Sequence, residues 1–144
     1  MKPRIVMDTN VLVSALRSKL GASFRLLSLV GEGEIEIAVS VPLVVEYEAV
    51  TKRQSRQLGL SHADIDDIID YLCLVGRHHE IFFLWRPLLR DPQDDLVLEL
   101  AVESESDYLV THNVRDFEGA KQFAIRVLTP GQFLKMLDKS RAGE

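Results

Sequence analysis

The sequence predicts an α/β fold, an α/β/α sandwich around a central and mostly parallel sheet. Short apolar segments rich in β-branched residues alternate along the chain with segments of helical periodicity, which is typical of successive βαβ units. The chain has 144 residues, the length of one domain, and 47% of them are hydrophobic. No linker, repeat or low-complexity stretch divides it. We expect one domain over residues 1–137 and a frayed tail over 138–144.

The first part of the chain predicts two strands and three helices. Leu26, Leu27 and Val30 follow one another at helical spacing, and Pro42 suits the first turn of a helix, where an amide donor has no partner. Gly59 is typical of a helix end. In chain order, we predict a strand at 4–7, helices at 11–16 and 22–30, a strand at 35–39 and a helix from about 42 to 57.

The second part predicts three strands and three helices. Ser61 and Asp64 have the spacing of a capping box, and the apolar residues after them, from Ile65 to Val75, share one helical face. Asp91 followed by proline predicts the start of another helix. We predict a helix up to residue 75, a strand at 81–85, a helix at 93–103, strands at 108–111 and 125–128, and a helix at 132–137. This alternation favours a parallel sheet covered on both faces.

Composition excludes several classes of protein. The single cysteine, Cys73, cannot form an internal disulfide. We see no leader peptide and no long apolar span, so we expect a cytoplasmic protein that does not insert into a membrane. The net charge of −5 argues against binding of nucleic acid mainly through bulk electrostatic attraction.

Polar residues follow the predicted strands where a ligand site is expected. In open α/β sheets, ligands bind beyond the carboxyl ends of the strands. Asp8 directly follows the first strand, Asp94 opens a later helix, and residues 111–116 follow the strand at 108. We therefore take these acids as candidates for one site.

Glu46 is a candidate for a different reason. It falls between Leu43 and Val50 on the predicted helix, which places a carboxylate on an apolar stripe. Such a carboxylate is costly to bury unless a cation or a hydrogen-bond donor meets it. Either a salt bridge to Arg53 or Arg4, or a metal ion, would meet this need.

Each acid taken alone also has a purely structural interpretation. Asp8 could cap the next helix, Asp94 suits the third position of a helix after Asp91, and Asp95 and Asp116 could be solvated. Together, however, carboxylates at one sheet edge would repel one another, and a hard divalent cation relieves that repulsion. The pattern favours Mg²⁺ or Mn²⁺.

The histidines do not favour zinc. His62, His78, His79 and His112 include no pair at i, i+4 spacing, and Cys73 falls beside the apolar face of its helix. We interpret Cys73 as a core residue and the pair at 78–79 as the end of a solvated loop.

Four segments carry a family resemblance. They are residues 8–12, 40–47, 91–101 and 107–117. In order and spacing they resemble the successive motifs of PIN domains, most closely those of the VapC-like toxins of bacterial and archaeal toxin–antitoxin systems. The resemblance covers residues 4–137.

The resemblance implies a PIN-like fold and an endoribonuclease dependent on Mg²⁺ or Mn²⁺. In that family, the acid after the first strand, the glutamate on the next helix and the acid opening the later helix form the metal site. These positions match Asp8, Glu46 and Asp94 here. Asp94 is preferred to Asp95, because the small or apolar positions of the family then fall at residues 98 and 101.

The fourth acidic position of the family falls on two residues. Asn113 and Asp116 share it. Some relatives have an acid where this chain has Asn113, so binding of a second metal here would depend on the charge of Asp116. We expect Asp8, Glu46, Asp94 and Asp116 to be catalytic. Thr9 and Thr111 are candidates to orient ligands or a phosphate, although they could equally be a cap and a strand-end residue.

The expected partners are RNA, a cognate antitoxin protein and a second copy of the chain in a homodimer. Arg53 lies seven residues after Glu46 on nearly the same helix face, with Lys52 and Arg56 near it, and each could contact phosphate. The same cations would also be favoured at a helix end and solvated there.

Other function classes fit the residues less well. A haloacid dehalogenase phosphatase needs a second aspartate where this chain has Asn10. A receiver domain needs a lysine after a late strand, and the segment 128–130 at that place contains none. A housekeeping RNA-processing nuclease and a catalytically silent PIN-like interaction module remain as alternatives.

Overall fold

The central sheet has five parallel strands and carries helices on both faces, as predicted. The computed structural model describes residues 2–81 and 89–143. The strands are β1 (Arg4–Met7), β2 (Glu36–Val39), β3 (Arg77–His78), β4 (Tyr108–Val110) and β5 (Arg126–Leu128). Their order across the sheet is β3-β2-β1-β4-β5, and every neighbouring pair is parallel.

The connections between strands are helical. They are α1 (Thr9–Arg17), α2 (Ala22–Gly31), α3 (Val41–Arg53), α4 (Ser55–Leu58), α5 (His62–Val75), α6 (Pro92–Glu103), a 3₁₀ segment (Val114–Phe123) and α7 (Pro130–Ala142). From β1 the chain first moves to one side of the sheet and later to the other. Because parallel crossovers are right-handed, these two directions place their helices on opposite faces. None of the helices in the described ranges has the length and apolar character needed to cross a membrane.

The core centres on β1. Ile5, Val6 and Met7 of this strand are completely buried, since strands pair on both of its sides and helices cover both faces. The buried Tyr47 of α3 donates a hydrogen bond from its hydroxyl to the carbonyl oxygen of Met7. This bond fixes α3 against the end of β1. Glu46 directly precedes Tyr47 in α3, so its position is fixed as well.

The predicted helix over 42–57 is divided in two. It leaves helical geometry at Gln54, with φ −99° and ψ 13°, and α4 follows as a single turn. Gly59 ends α4 with a φ of 68°, in the left-handed region that glycine adopts readily. The helix end at Gly59 is confirmed, and the break at Gln54 was not predicted.

The third strand, β3, precedes the segment 81–85 in which the sequence predicts a strand. Ile81 is outside any strand, and residues 82–85 of the predicted strand lie outside the described residues. β3 forms at Arg77–His78, whereas the sequence predicts the end of a solvated loop at residues 78–79. Its backbone pairs with Val39 of β2, whose carbonyl oxygen also accepts the His79 N–H at 2.9 Å.

The last helix extends beyond its predicted end. α7 continues to Ala142, so residues 138–142 are helical where a frayed tail was expected. Thr129 and Gln132 form a capping box at its start, and Arg141 pairs with Glu34 at 2.6 Å near its end. The helix persists because it is held at both ends.

Candidate active site

A cavity of about 730 Å³ opens at the carboxyl ends of the central strands. Residues that follow β1, β2 and β4 reach it, because parallel strands end at the same edge of a sheet. Its acidic side chains are Asp8, Glu46, Asp91, Asp94 and Asp116. The structure thus brings together the four acids that the sequence analysis selected, with Asp91 beside them.

Asp8 is both a helix cap and part of the cavity. It is the N-cap of α1, and its Oδ1 accepts the Thr9 N–H at 2.8 Å. Its Oδ2 accepts the Thr111 hydroxyl at 2.8 Å and the Asn10 side-chain amide at 3.2 Å. Burial raises the pKa of Asp8, although these hydrogen bonds oppose the shift.

Glu46 is half-buried, and its carboxylate accepts a hydrogen bond from a hydroxyl group. The Thr9 hydroxyl donates to its Oε2, whereas Arg4 pairs with Glu36 at 2.7 Å. Within the described residues Glu46 forms no ion pair, so the salt-bridge interpretation does not hold. Burial raises the pKa of Glu46 and the Thr9 hydrogen bond lowers it. The negative charges of nearby acids raise it further, whereas the charge of Arg53 lowers it.

The neighbours Asp94 and Asp95 lie in different environments. Asp94, in the first turn of α6, borders the cavity. Burial, and then the negative charges of Asp8, Asp91, Asp116 and Glu46, raise the pKa of Asp94 to about 7.

Asp95 is buried, whereas one interpretation of the sequence was that it is solvated. It is 7% exposed and accepts the Leu89 N–H at 3.1 Å. It does not border the cavity. Its contact with Leu89 fixes the segment that enters α6, a supporting role distinct from that of Asp94.

Asn113 and Asp116 both border the cavity. Thr111, completely buried at the end of β4, connects this turn to Asp8: its Oγ1 donates to Asp8 and accepts the Asn113 N–H at 3.0 Å. Asp116 follows in the first turn of the 3₁₀ segment, with its N–H bonded to the Asn113 carbonyl oxygen at 3.0 Å. Both residues are exposed, and Asp116 adds a negative charge opposite Asp94.

Asp91 was predicted only as a helix cap. It does cap α6, accepting the Gln93 N–H at 2.9 Å, and it also borders the cavity. Its charge raises the pKa of both Glu46 and Asp94. The signal that could have identified it is its place at the start of a helix that begins at the same end of the sheet.

Asn10 and His112 also border the cavity and were not predicted there. Asn10 donates to Asp8 through its side-chain amide, and its Oδ1 accepts the His112 N–H at 3.2 Å. The His112 ring lies 3.2 Å from the Ser23 hydroxyl of α2. These bonds join the ends of β1 and β4 around Asp8.

The predicted RNA-binding cations separate into two groups. Arg53 borders the cavity, and so does Arg17, whose guanidinium donates to Gln54 at 3.2 Å. Lys52 is turned aside, with its ammonium group 2.7 Å from Asp66 and 3.6 Å from Glu48. The exposed Arg56 does not border the cavity.

The donor atoms of the cavity suit a hard divalent ion. Carboxylate and amide oxygens, without cysteine, are the ligands that Mg²⁺ and Mn²⁺ prefer. In the described part of the chain, no three His, Cys, Asp or Glu side chains lie close enough to hold one ion as they stand. Burial first, and then repulsion by the neighbouring acids, raises the pKa of Asp94. A divalent cation would relieve this repulsion, so the chemistry of the residues fits the ion.

Comparisons with known proteins agree with the fold. The sequence pattern of a family described as "PIN domain" matches residues 4–115. Among solved structures, one similar chain comes from VapBC2 of Rickettsia felis, crystallised with a DNA fragment from its promoter. It has a TM-score of 0.58 and 16% sequence identity, over 86% of this chain and 98% of that one, a likeness of fold alone. No curated protein matches the sequence.

Proposed function

Because the chain belongs to the PIN domain family, whose members are generally nucleases, we propose that it is a metal-dependent endoribonuclease and the toxin of a toxin–antitoxin pair. One observation carries this proposal: five carboxylates border one cavity, where burial and then the charges of the neighbouring acids raise the pKa of Asp94 to about 7. Perturbed acids gathered in one cavity are typical of a functional site, and carboxylate oxygens suit a hard divalent ion.

Asp8, Glu46, Asp94 and Asp116, with Asn113, would hold Mg²⁺ or Mn²⁺. When bound, such an ion supplies charge neutralisation at the phosphoryl oxygens and activation of a water molecule. The protein contributes the ligand oxygens and their orientation.

Two threonines orient the proposed ligands. Thr9 donates to Glu46, and Thr111 donates to Asp8, so each carboxylate has one oxygen fixed by a hydroxyl group. Hydrogen bonds of this kind orient metal ligands in many sites. We assign Thr9 and Thr111 to this positioning role.

The cations of the cavity would bind the RNA backbone. Arg53 and Arg17 border the same cavity as the acids, so a phosphate near the carboxylates is within their reach. Lys52 is engaged by Glu48 and Asp66, and we therefore assign the larger contribution to Arg53. Without a divalent ion the acids would repel RNA, so binding should depend on the metal.

Two protein partners belong to this proposal, a cognate antitoxin and a second copy of the chain. Val41 and Val45, one turn apart on α3, are 71% and 62% exposed, and an apolar patch of this kind supports a protein interface. The similar Rickettsia felis structure contains VapBC2, which also supports a two-component system. We propose that the protein acts in the cytoplasm, on cellular RNA.

The test is cleavage of labelled RNA by the purified protein. We expect cleavage in Mg²⁺ or Mn²⁺, none in EDTA, and a loss of about 100-fold or more in Asp8→Asn and Asp94→Asn. Asp70→Asn, on the exposed face of α5, is the matched control and should cleave normally. Cleavage that resists both EDTA and the two substitutions would overturn the metal-nuclease proposal. No cleavage of any RNA would favour a silent interaction module.

Expression in cells tests the toxin role. We expect expression to slow growth, Asp94→Asn to abolish the effect, and co-expression of a small protein encoded next to it to relieve it. Normal growth with an active enzyme would point instead to housekeeping RNA processing. Analytical ultracentrifugation tests the homodimer, and a monomer at micromolar concentration would contradict it.

A further inference from the structure

The outer edge of β5 has backbone groups directed away from the sheet. The register pairs Arg126 with Tyr108 and Leu128 with Val110. The Arg126 N–H donates to the backbone carbonyl oxygen of Asp107, and the Leu128 carbonyl oxygen accepts the Thr111 N–H at 3.0 Å. The backbone groups of both residues therefore face β4. Because alternate residues of a strand face opposite neighbours, the N–H and C=O of Val127 face outward. Within the described residues no strand pairs with this edge.

Two cavities of about 470 Å³ each flank this edge. Arg126 and Leu128 border both of them, so both cavities adjoin the same strand. The first is largely apolar, with Val114, Phe117 and Val127 in its lining. The second lies against α7. Two cavities therefore adjoin the exposed edge.

Five cations surround the edge, in a protein whose net charge is −5. They are Arg115, Lys121, Arg126, Lys135 and Lys139. The two cavities contain one acid, Glu118, and none of the five cations forms an ion pair with a described residue. The guanidinium of Arg126 lies 5.8 Å from the centre of the Tyr108 ring, which holds it beside the strand. We call these five residues and β5 the basic edge.

We propose that the basic edge binds an extended acidic segment of a partner protein, which adds to the sheet as a further strand beside β5. Its backbone would pair with the N–H and C=O of Val127. Successive side chains of a strand point to opposite faces, so apolar residues would enter the cavity with Phe117 while acidic residues meet the cations. Peptides that add strands in this way gain affinity from the backbone and specificity from alternate side chains.

The charge of the edge selects among possible occupants. Two copies of this chain joined edge to edge would bring their cations together, and like charges at an interface are unfavourable. RNA would satisfy the cations but would leave the N–H and C=O of Val127 unpaired. An acidic strand satisfies the cations, the backbone edge and the apolar cavity together. No residue of the basic edge borders the active-site cavity, so this inference does not depend on the nuclease activity.

The first test measures binding of designed peptides by fluorescence anisotropy. The probe is a labelled octapeptide in which glutamate alternates with valine. We expect it to bind, and we expect binding about tenfold weaker or less when lysine replaces glutamate or when the valine nitrogens are methylated. Equal binding of all three peptides, or no binding of the glutamate peptide at millimolar concentration, would overturn the proposal.

The second test uses the protein surface. The double substitution Lys135→Glu and Lys139→Glu, at exposed positions on α7, should weaken binding of the glutamate peptide by about tenfold. Arg25→Glu on α2 should leave that binding unchanged. The peptide should also slow hydrogen exchange at the Val127 amide, which attraction between side chains alone would not do. A contrary outcome is that the peptide leaves hydrogen exchange at the Val127 amide unchanged and is displaced by an oligouridylate. In that case the basic edge binds RNA and the strand proposal is wrong.

Discussion

The Thr111 hydroxyl donates a hydrogen bond of 2.8 Å to Oδ2 of Asp8, across 103 residues of sequence. The bond exists because β1 and β4 are neighbours, so that residues just beyond their ends meet. It fixes one oxygen of a buried carboxylate and orients the other. A local feature of the fold, the adjacency of two strands, thereby determines the geometry of the candidate metal site.

Substitution of Thr111 should separate orientation from packing. Thr111→Val has nearly the same shape but lacks the donor, and we expect metal affinity or activity to fall by about 10–100-fold. Thr111→Ser keeps the hydroxyl and should retain most activity. The dependence of kcat/KM on Mg²⁺ concentration measures the effect. Equal loss in both variants would indicate that the methyl group matters rather than the hydrogen bond.

Asp94→Asn should have opposite effects on stability and on activity. In EDTA near pH 8, the substitution removes a charge that Asp8, Asp91, Asp116 and Glu46 repel, so we expect a higher Tm than that of the wild type. Activity should be lost at the same time, because a proposed metal ligand is removed. Asp70→Asn should leave the Tm unchanged, and a lower Tm for Asp94→Asn would contradict the charge argument.

The contribution of Asp94 to the stability of the metal-free protein should fall as the pH rises. The pKa of Asp94 is about 7 in the folded protein and near 3.8 when unfolded, so the folded state retains this proton longer. Stability from this group is therefore present below about pH 4 and is lost as the pH rises toward 7. Glu36, whose pKa the Arg4 hydrogen bond lowers, contributes in the opposite sense, with stability lost under acid conditions.

The difference in unfolding free energy between wild type and Asp94→Asn isolates the first effect, because Glu36 is common to both proteins. We expect the advantage of the variant to grow between about pH 4 and 7 and then to level off. Urea titrations in EDTA provide the measurement. A constant difference over this range would show that Asp94 titrates normally.

Divalent metal should stabilise the protein and release protons. An ion that binds the folded state alone stabilises it by about 2.7 kcal/mol at 100 times its Kd. Since the pKa of Asp94 is about 7, binding near neutral pH should displace its proton, which calorimetry in buffers of different ionisation enthalpy detects. The rise in Tm should be smaller in Asp94→Asn, and an equal rise would place the ion elsewhere.

Two glycines should respond to alanine in opposite ways. A Cβ on Gly76 would lie 2.8 Å from the Leu72 carbonyl oxygen and 3.2 Å from both methyl groups of Val39, so Gly76→Ala should destabilise by about 1–3 kcal/mol. Gly131, in the first turn of α7, has no atom within 4 Å of such a Cβ. Gly131→Ala should stabilise by about 0.4–1 kcal/mol, measured by urea unfolding. Equal effects would contradict the close packing of Gly76.

Features set by local sequence were predicted well. Asp8 ends a β-branched strand and Ser61 begins a capping box, and both features lie within a few residues of sequence. The position of Glu46 on an apolar stripe was visible from helical periodicity. Its hydrogen bond to Thr9 was not, because that contact depends on how α3 packs against α1.

What the sequence did not show depends on tertiary contacts. β3 has two residues and no hydrophobic pattern, and it is a strand only because β2 offers its edge. The break at Gln54 carries no proline or glycine signal. Asp95 looked solvated, and its burial reflects a contact with Leu89 that periodicity does not specify. Sequence periodicity does not predict the structure of a residue that depends on a partner distant in the sequence.

The strand order also determines when the candidate site can form during synthesis. β1 is made first, but its neighbour β4 and the turn with Asn113 and Asp116 are made long afterwards, since Thr111 follows Asp8 by 103 residues. A nascent chain that has not yet exposed β4 outside the ribosome lacks a fixed Asp8 and one wall of the cavity. A chain with this topology therefore cannot complete the candidate site until β4 and the turn after it have been synthesised.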